Sequence, residues 1–308
     1  DYTKRAFKEI GIDTDKADAH ELGNLVCAQC HSEYYFKATP WTDKNGNKKT
    51  AKVVTFPWAN GTSAEAMEEY YDQREFKDWT HKISKAPMLK AQHPGYEIFS
   101  TGIHFQNGVT CANCHMADGS HNVSNPLDNM KETCLNCHGD AELLKANVER
   151  KFERKEELME TAMDNLGKAH LEAGKAWELG ATEKEMADIL MDIRHGQWRW
   201  DYSIASHGSF FHAPEETLRL LSSANNIAQN ARIKLTKVLA KYGVADYVAP
   251  DFSTKKKAQE LAGVPLKKLV KEKKAFKNGL LKDWEKSAIK EGKLDSKIRK
   301  GMSDNTSY

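Results

Sequence analysis

Long apolar runs are missing from the 308-residue sequence: nowhere does it approach the roughly 18 consecutive apolar side chains of a membrane span, which excludes a transmembrane helix. Proline is absent between Leu127 and Ala213, so helices can run unbroken there. The sequence begins at Asp1 with neither Met nor a secretory leader, as expected of a processed, truncated or partial chain. A strong charge of one sign is lacking too. The net charge is +2, but residues 251–308 carry 16 Lys/Arg against 8 Asp/Glu, leaving 30 against 36 in the first 250. The basic excess is confined to a lysine-rich tail, which argues against nucleic acid as the main partner. Apolar residues at 40% and charged residues at 29% give a globular rather than a disordered balance.

The six cysteines decide the class. They fall at Cys27/Cys30, Cys111/Cys114 and Cys134/Cys137, three C-x-x-C pairs with none left over, and each pair is followed by histidine: His31, His115 and His138. C-x-x-C-H reads as a c-type haem attachment site. Two thiols three residues apart lie on the same side of one helical turn, placed for thioether bonds to the two vinyl groups of one porphyrin. The adjacent histidine ligates the iron from the proximal side. Structural zinc also uses C-x-x-C pairs but joins them in fours and requires no following His. A disulfide within C-x-x-C closes a very small loop, and a thioredoxin-like motif occurs once, near a βαβ pattern, not three times. Three haem c groups are therefore expected. Each is a large apolar body that stands in for part of a side-chain core.

The expected fold is mainly α: a multihaem cytochrome c with haem-wrapping loops and short helices, followed by long C-terminal helices. Residues 1–140 form the expected multihaem domain, and residues 141–308 a long-helix domain suited to a dimer interface. Lys37–Ser63 reads as polar and loop-like, with a turn or hairpin tip at Asp43–Asn47. Glu142 to about Gly180 reads as one long helix, and Thr182 with Glu185 forms a capping box that opens another. Leu220, Ala224, Ile227, Ala231, Leu235 and Val238 make an apolar stripe after Pro214, most simply a helix–helix seam. A lysine-rich helical tail ends the chain.

Four stretches carry a family resemblance. They are Cys27-Ala-Gln-Cys30-His31-Ser-Glu33-Tyr34-Tyr35-Phe36, Lys85-Ala-Pro-Met-Leu-Lys90-Ala-Gln92-His93-Pro94, Thr110-Cys111-Ala-Asn-Cys114-His115-Met116 and His207-Gly-Ser-Phe-Phe-His212-Ala-Pro-Glu-Glu. Together they resemble ammonia-forming cytochrome c nitrite reductase, in order from about Ala19 to the C-terminus, as its C-terminal two-thirds. The resemblance implies a periplasmic homodimer with five haems per subunit that reduces nitrite to ammonium with six electrons, supplied by a membrane-associated or soluble multihaem cytochrome. It also implies that His104 caps the haem at Cys134/Cys137 and that His212 caps the one at Cys111/Cys114. By the same resemblance His121 serves a haem attached upstream, and the Cys27/Cys30 haem takes its distal ligand from that region. Tyr34 and His93 match the catalytic pocket. Glu33, Gln92 and the backbone carbonyls of Tyr34 and Lys90 match a calcium site, all oxygen donors as a hard cation prefers. Tyr35 and Phe36 read as packing aromatics, and His81, His170, His195 and His207 as surface or hydrogen-bonded structural residues. The family's catalytic haem is ligated by lysine in C-x-x-C-K, and this sequence contains no C-x-x-C-K. The rival readings are a stand-alone trihaem electron carrier and a structural zinc protein.

Overall fold

The computed structural model describes residues 2–294 apart from 118 and 120–122. The chain is mainly α. Its principal elements in order are α1 (Ala19–Ala28), a hairpin of β1 (Tyr35–Thr42) and β2 (Lys48–Thr55), α2 (Ala64–Asp72), α3 (Gly95–Ser100), α4 (Cys111–His115), α5 (Ala141–Glu178), α6 (Glu183–Ala205), α7 (Pro214–Lys241), and then α8 (Lys255–Leu261), α9 (Leu266–Asn278) and α10 (Leu280–Lys290). Two compact units divide it, Asp1–Ala249 and Pro250–Tyr308. The composition shift near residue 140 suggests a domain boundary there, but the cysteine-bearing stretch and the long helices share the first unit. That shift marks a change of local structure. The packing boundary lies past α7.

Local signals in the sequence open the helices. The Asp18 carboxylate accepts from the Glu21 backbone N–H at 2.8 Å, and the Glu21 side chain accepts from the Asp18 N–H at 3.1 Å. Thr110 and Asn113 cap α4, and Thr182 and Glu185 cap α6, in the same reciprocal way. Asp140 caps the 38-residue α5. The short turn from α5 into α6 makes the two helices antiparallel neighbours. Ala162, Ala169, Ala173 and Ala176 on α5 and Ala224, Ala228 and Ala231 on α7 are fully buried, so the alanine seam is used within this chain. Gly196 on α6 is part of the same close approach, since a Cβ there would lie 3.3 Å from the Ala224 carbonyl oxygen. The stripe on α7 differs slightly from the one the sequence suggests. Ala228 and Leu239 are buried where Ile227 and Val238 sit at the margin.

The stretch Lys37–Ser63, expected to be a loop, begins with the β1–β2 hairpin, paired from Tyr35 opposite Thr55 to Thr42 opposite Lys48. Its tip is the expected one: the Asp43 carboxylate accepts from the Asn45 and Asn47 N–H groups at 2.8 and 3.0 Å, and Gly46 takes a φ of +81°. Most of the hairpin is exposed on both faces, so it lacks the apolar–polar alternation that announces a strand.

One core gathers Trp58, Met67, Tyr71, Trp198, Tyr202 and Leu220. A second gathers Ala173, Ala176, Met186, Ile189, Ile193 and Leu235. Polar ties bind the cysteine-bearing stretch to α6. The Trp198 indole donates to the Ala64 carbonyl at 2.8 Å. Arg194, 2% exposed, donates to Asp72 at 2.8 Å and to the Pro87 and Phe76 carbonyls at 2.8 and 2.9 Å. Among the described residues the second unit is built of α8, α9 and α10, none of which has a buried residue.

Candidate functional site

All three C-x-x-C-H stretches adopt one helical turn. Cys111–His115 is α4 itself, while the His31 N–H donates to the Cys27 carbonyl at 2.9 Å and the His138 N–H to the Cys134 carbonyl at 3.0 Å. The first two turns are joined by Asn24, whose side-chain oxygen accepts from the Cys111 N–H at 3.0 Å. Cys27 and Cys111 also share a thiol hydrogen bond that holds Cys27 down at about 7 and pushes Cys111 up, while burial raises Cys114. A cavity of about 510 Å³ opens between these turns, lined by Cys27, Cys30, His31, Cys111, Cys114 and His115 together with His93, His104, His207, Phe211 and His212. Cys134 and Cys137 do not line it. No disulfide joins any of the six cysteines.

The histidines are arranged in pairs. The rings of His115 and His212 are 6.3 Å apart, centroid to centroid, and those of His104 and His138 are also 6.3 Å apart. Two imidazoles bonded through nitrogen to one iron, at metal–nitrogen distances of about 2.0 Å, bring their centroids to about 6 Å. The residues present therefore fit a haem c between each pair. His115 Nδ1 is engaged with the Ser124 carbonyl at 2.9 Å, which leaves Nε2 for a metal. His212 is held down at about 4, first by burial and then by His115, His104 and His31, so it is neutral and able to ligate. Its buried Nδ1 has no hydrogen-bond partner among the described residues, a deficit that a ligand in the cavity would relieve. Burial, with His138 and Lys151, also lowers His104, whose ring stacks on Phe211 at 5.4 Å. His121 lies outside the described residues.

The pocket residues of the resemblance are placed as follows. His93 packs on His31 with ring centroids 4.4 Å apart, and edge-on to His207 at 6.0 Å. Burial lowers its pKa, and His31 and His207 lower it further. Tyr34 is half-buried and meets Phe36 edge-on at 5.7 Å. Tyr35 is a core residue hydrogen-bonded to Tyr70 at 2.9 Å, as its packing role predicts, whereas Phe36 is half exposed. Residue-type reasoning missed His207, treated as structural although it lines the cavity beside His93. The available signal was its place in His207-Gly-Ser-Phe-Phe-His212, five residues before His212. His170 and His195 are hydrogen-bonded away from the cavity, to Ser84 and Gln197 and to Asp72 respectively.

Glu33, Lys90 and Gln92 do come together. Glu33 is fully buried, and its carboxylate accepts from the Gln92 N–H at 2.6 Å and the Tyr71 hydroxyl at 3.2 Å. The Lys90 carbonyl accepts from the Gln92 side chain at 3.4 Å, while the Lys90 ammonium is bound to Asp201 at 2.6 Å. Burial raises the Glu33 carboxyl well above its usual range, and the nearby Glu97 and Asp201 carboxylates add to that rise. Glu97, also missed from sequence, accepts from the Glu33 N–H at 2.8 Å and the Trp58 indole at 2.9 Å. A buried carboxylate next to oxygen donors, with no cationic partner of its own among the described residues, fits a hard cation.

The family model described as cytochrome c552 matches residues 1–295. The chain belongs to the cytochrome c552 family. A cytochrome c-552 of Desulfotalea psychrophila is 62% identical over 313 residues, covering 99% of this chain and 62% of the relative. Another, of Maridesulfovibrio salexigens, is 57% identical and covers 100% of this chain and 63% of the relative. The chain thus spans less than two thirds of the length of the curated relatives it matches. The expected restriction to a C-terminal two-thirds is not borne out by the family match, which runs over residues 1–295. Among solved structures, a cytochrome c nitrite reductase of Desulfovibrio desulfuricans, described with two calcium sites in its catalytic subunit, superposes with a TM-score of 0.72 at 32% identity. It covers 85% of this chain and 57% of its own. Membership in the cytochrome c552 family and the haem-sized histidine pairs agree on haem c.

Proposed function

We infer that this chain provides three electron-transfer haems and one wall of the substrate pocket in a periplasmic cytochrome c nitrite reductase that converts nitrite to ammonium. The observation that carries the reading is the pair of 6.3 Å histidine spacings beside C-x-x-C-H turns, in a chain of the cytochrome c552 family. Bound haem c supplies one-electron transfer. His115 and His212 hold one group with Cys111 and Cys114, His104 and His138 hold another with Cys134 and Cys137, and Cys27, Cys30 and His31 hold the third.

His93 and Tyr34 are the proposed catalytic residues. Reduction of a nitrogen oxyanion consumes protons, and an imidazole of lowered pKa takes each proton from water and, as imidazolium, passes it on to return to the neutral form, while the phenol positions the oxyanion by hydrogen bonding. Glu33, Gln92 and the carbonyls of Tyr34 and Lys90 are proposed to hold Ca2+, which stabilises the backbone that carries Tyr34. The catalytic C-x-x-C-K haem is assigned to sequence outside this chain, within a five-haem subunit. Dimerisation through the long helices, a multihaem cytochrome donor and periplasmic placement belong to the same reading.

The test is haem chemistry followed by an assay. Acid–acetone extraction should leave three haems on the polypeptide. With a viologen donor, a longer form containing C-x-x-C-K should make ammonium and the 308-residue chain should not. Extractable haem would end the reading. A longer form inactive on nitrite would favour the trihaem electron carrier.

A further inference from the structure

The helical unit after Pro250 plays no part in the cavity, yet its side chains are unusual for an unpartnered surface. On α9, Leu269, Val270 and Phe276 fall within about 120° of arc at helical spacing, and on α10 Leu280, Leu281 and Trp284 do the same. All but Leu281 are exposed, Val270 to 64% and Trp284 to 56%. Phe276 meets Trp284 edge-on at 5.7 Å, so the two apolar stripes adjoin. Residues 266–290 contain nine lysines and three acidic residues. Glu272 and Asp283 pair with Lys268 and Lys286 at 3.8 and 3.9 Å, which is loose contact between exposed groups.

We propose that α9 and α10 form a membrane-surface dock that lies flat on a bilayer containing anionic lipid. No described helix is long and apolar enough to cross a membrane, so the contact is interfacial. Two features select a bilayer over a protein groove. The exposed apolar face is framed by lysines, which complements the negative surface of anionic lipid. Moreover, Lys273 and Lys277 fall within the apolar arc of α9. A protein interface would have to desolvate both ammonium groups, whereas at a bilayer their long stems let the charges reach headgroups while the neighbouring apolar side chains sink.

The experiment is co-sedimentation of the haem-loaded full chain with vesicles. The chain should pellet with phosphatidylglycerol–phosphatidylcholine vesicles and stay in solution with phosphatidylcholine alone. Raising salt from about 0.1 M to about 0.5 M shortens the screening length more than twofold and should release it. F276A/W284A removes two exposed rings without touching either core, and should weaken binding about tenfold or more at unchanged helicity and haem content. K273E/K277E should weaken it comparably. Absence of binding to the anionic vesicles, or equal binding by wild type and both double variants, overturns the proposal. So does self-association that F276A/W284A abolishes in the absence of vesicle binding, because the face would then be covered by a second copy of the chain.

Discussion

The imidazole of His93 lies on the imidazole of His31, with ring centroids 4.4 Å apart and planes inclined by 55°. The contact is reinforced by the backbone, since the Tyr96 N–H donates to the His31 carbonyl at 2.8 Å. It joins the proposed proton-handling histidine to the first C-x-x-C-H turn, so neither can move far without the other. Nδ1 of His93 is buried with no hydrogen-bond partner among the described residues, while the ring also has a hydrogen bond with the Ala205 backbone.

Replacing this ring tests its chemistry. In a longer, nitrite-reducing form of the protein, His93→Asn should lower ammonium turnover about a hundredfold or more, the range in which positioned acid–base groups act. The haem absorption spectrum and haem content should be unchanged. A parallel loss of haem would mean that the ring only supports the fold, and unchanged turnover would remove His93 from the mechanism.

His212 can be tested by potential. His212→Met keeps a metal-binding side chain, and a thioether favours ferrous iron more than imidazole does. The Cys111/Cys114 haem should rise in potential by on the order of 100 mV with covalent haem stoichiometry intact. Redox titration followed by absorbance checks this, and an unshifted set of potentials would show that His212 is not a ligand.

Glu97 should make stability depend on pH in an unusual direction. Burial raises its pKa from 4.5 to about 7, against the lowering effect of its hydrogen bonds from Glu33 and Trp58. Between those values the folded state holds a proton that the unfolded state has released, so stability falls as pH rises through this window. The loss is on the order of 3 kcal/mol once pH exceeds the folded value. Glu97→Gln keeps an oxygen for both hydrogen bonds and places an amide where Glu97 Oε2 is buried without a partner among the described residues. In chelator-treated protein, Tm of the variant should hold between about pH 4.5 and 7 while that of the wild type declines relative to it. Parallel Tm profiles would show that Glu97 does not titrate in this range.

The three C-x-x-C-H turns, the cap at Thr182 and the long span of α5 were legible in the sequence. Each rests on groups within four residues of one another, such as the Cys27 carbonyl and the His31 N–H, and helical bonds of that range are set by local sequence alone. The hairpin at Tyr35–Thr55 was not legible beyond its tip, because register over a two-sided polar strand pair leaves no apolar pattern. Spacing could not single out the partners among nine histidines outside the motifs. His104 meets His138, and His115 meets His212, only because the tertiary fold brings residues 34 and 97 positions apart together. The burial of Glu33 and Glu97 was also decided by tertiary structure. Their side chains look like surface carboxylates until Trp58, Tyr71 and α6 close over them, and the cost of desolvating a carboxylate exists only once those distant segments have packed.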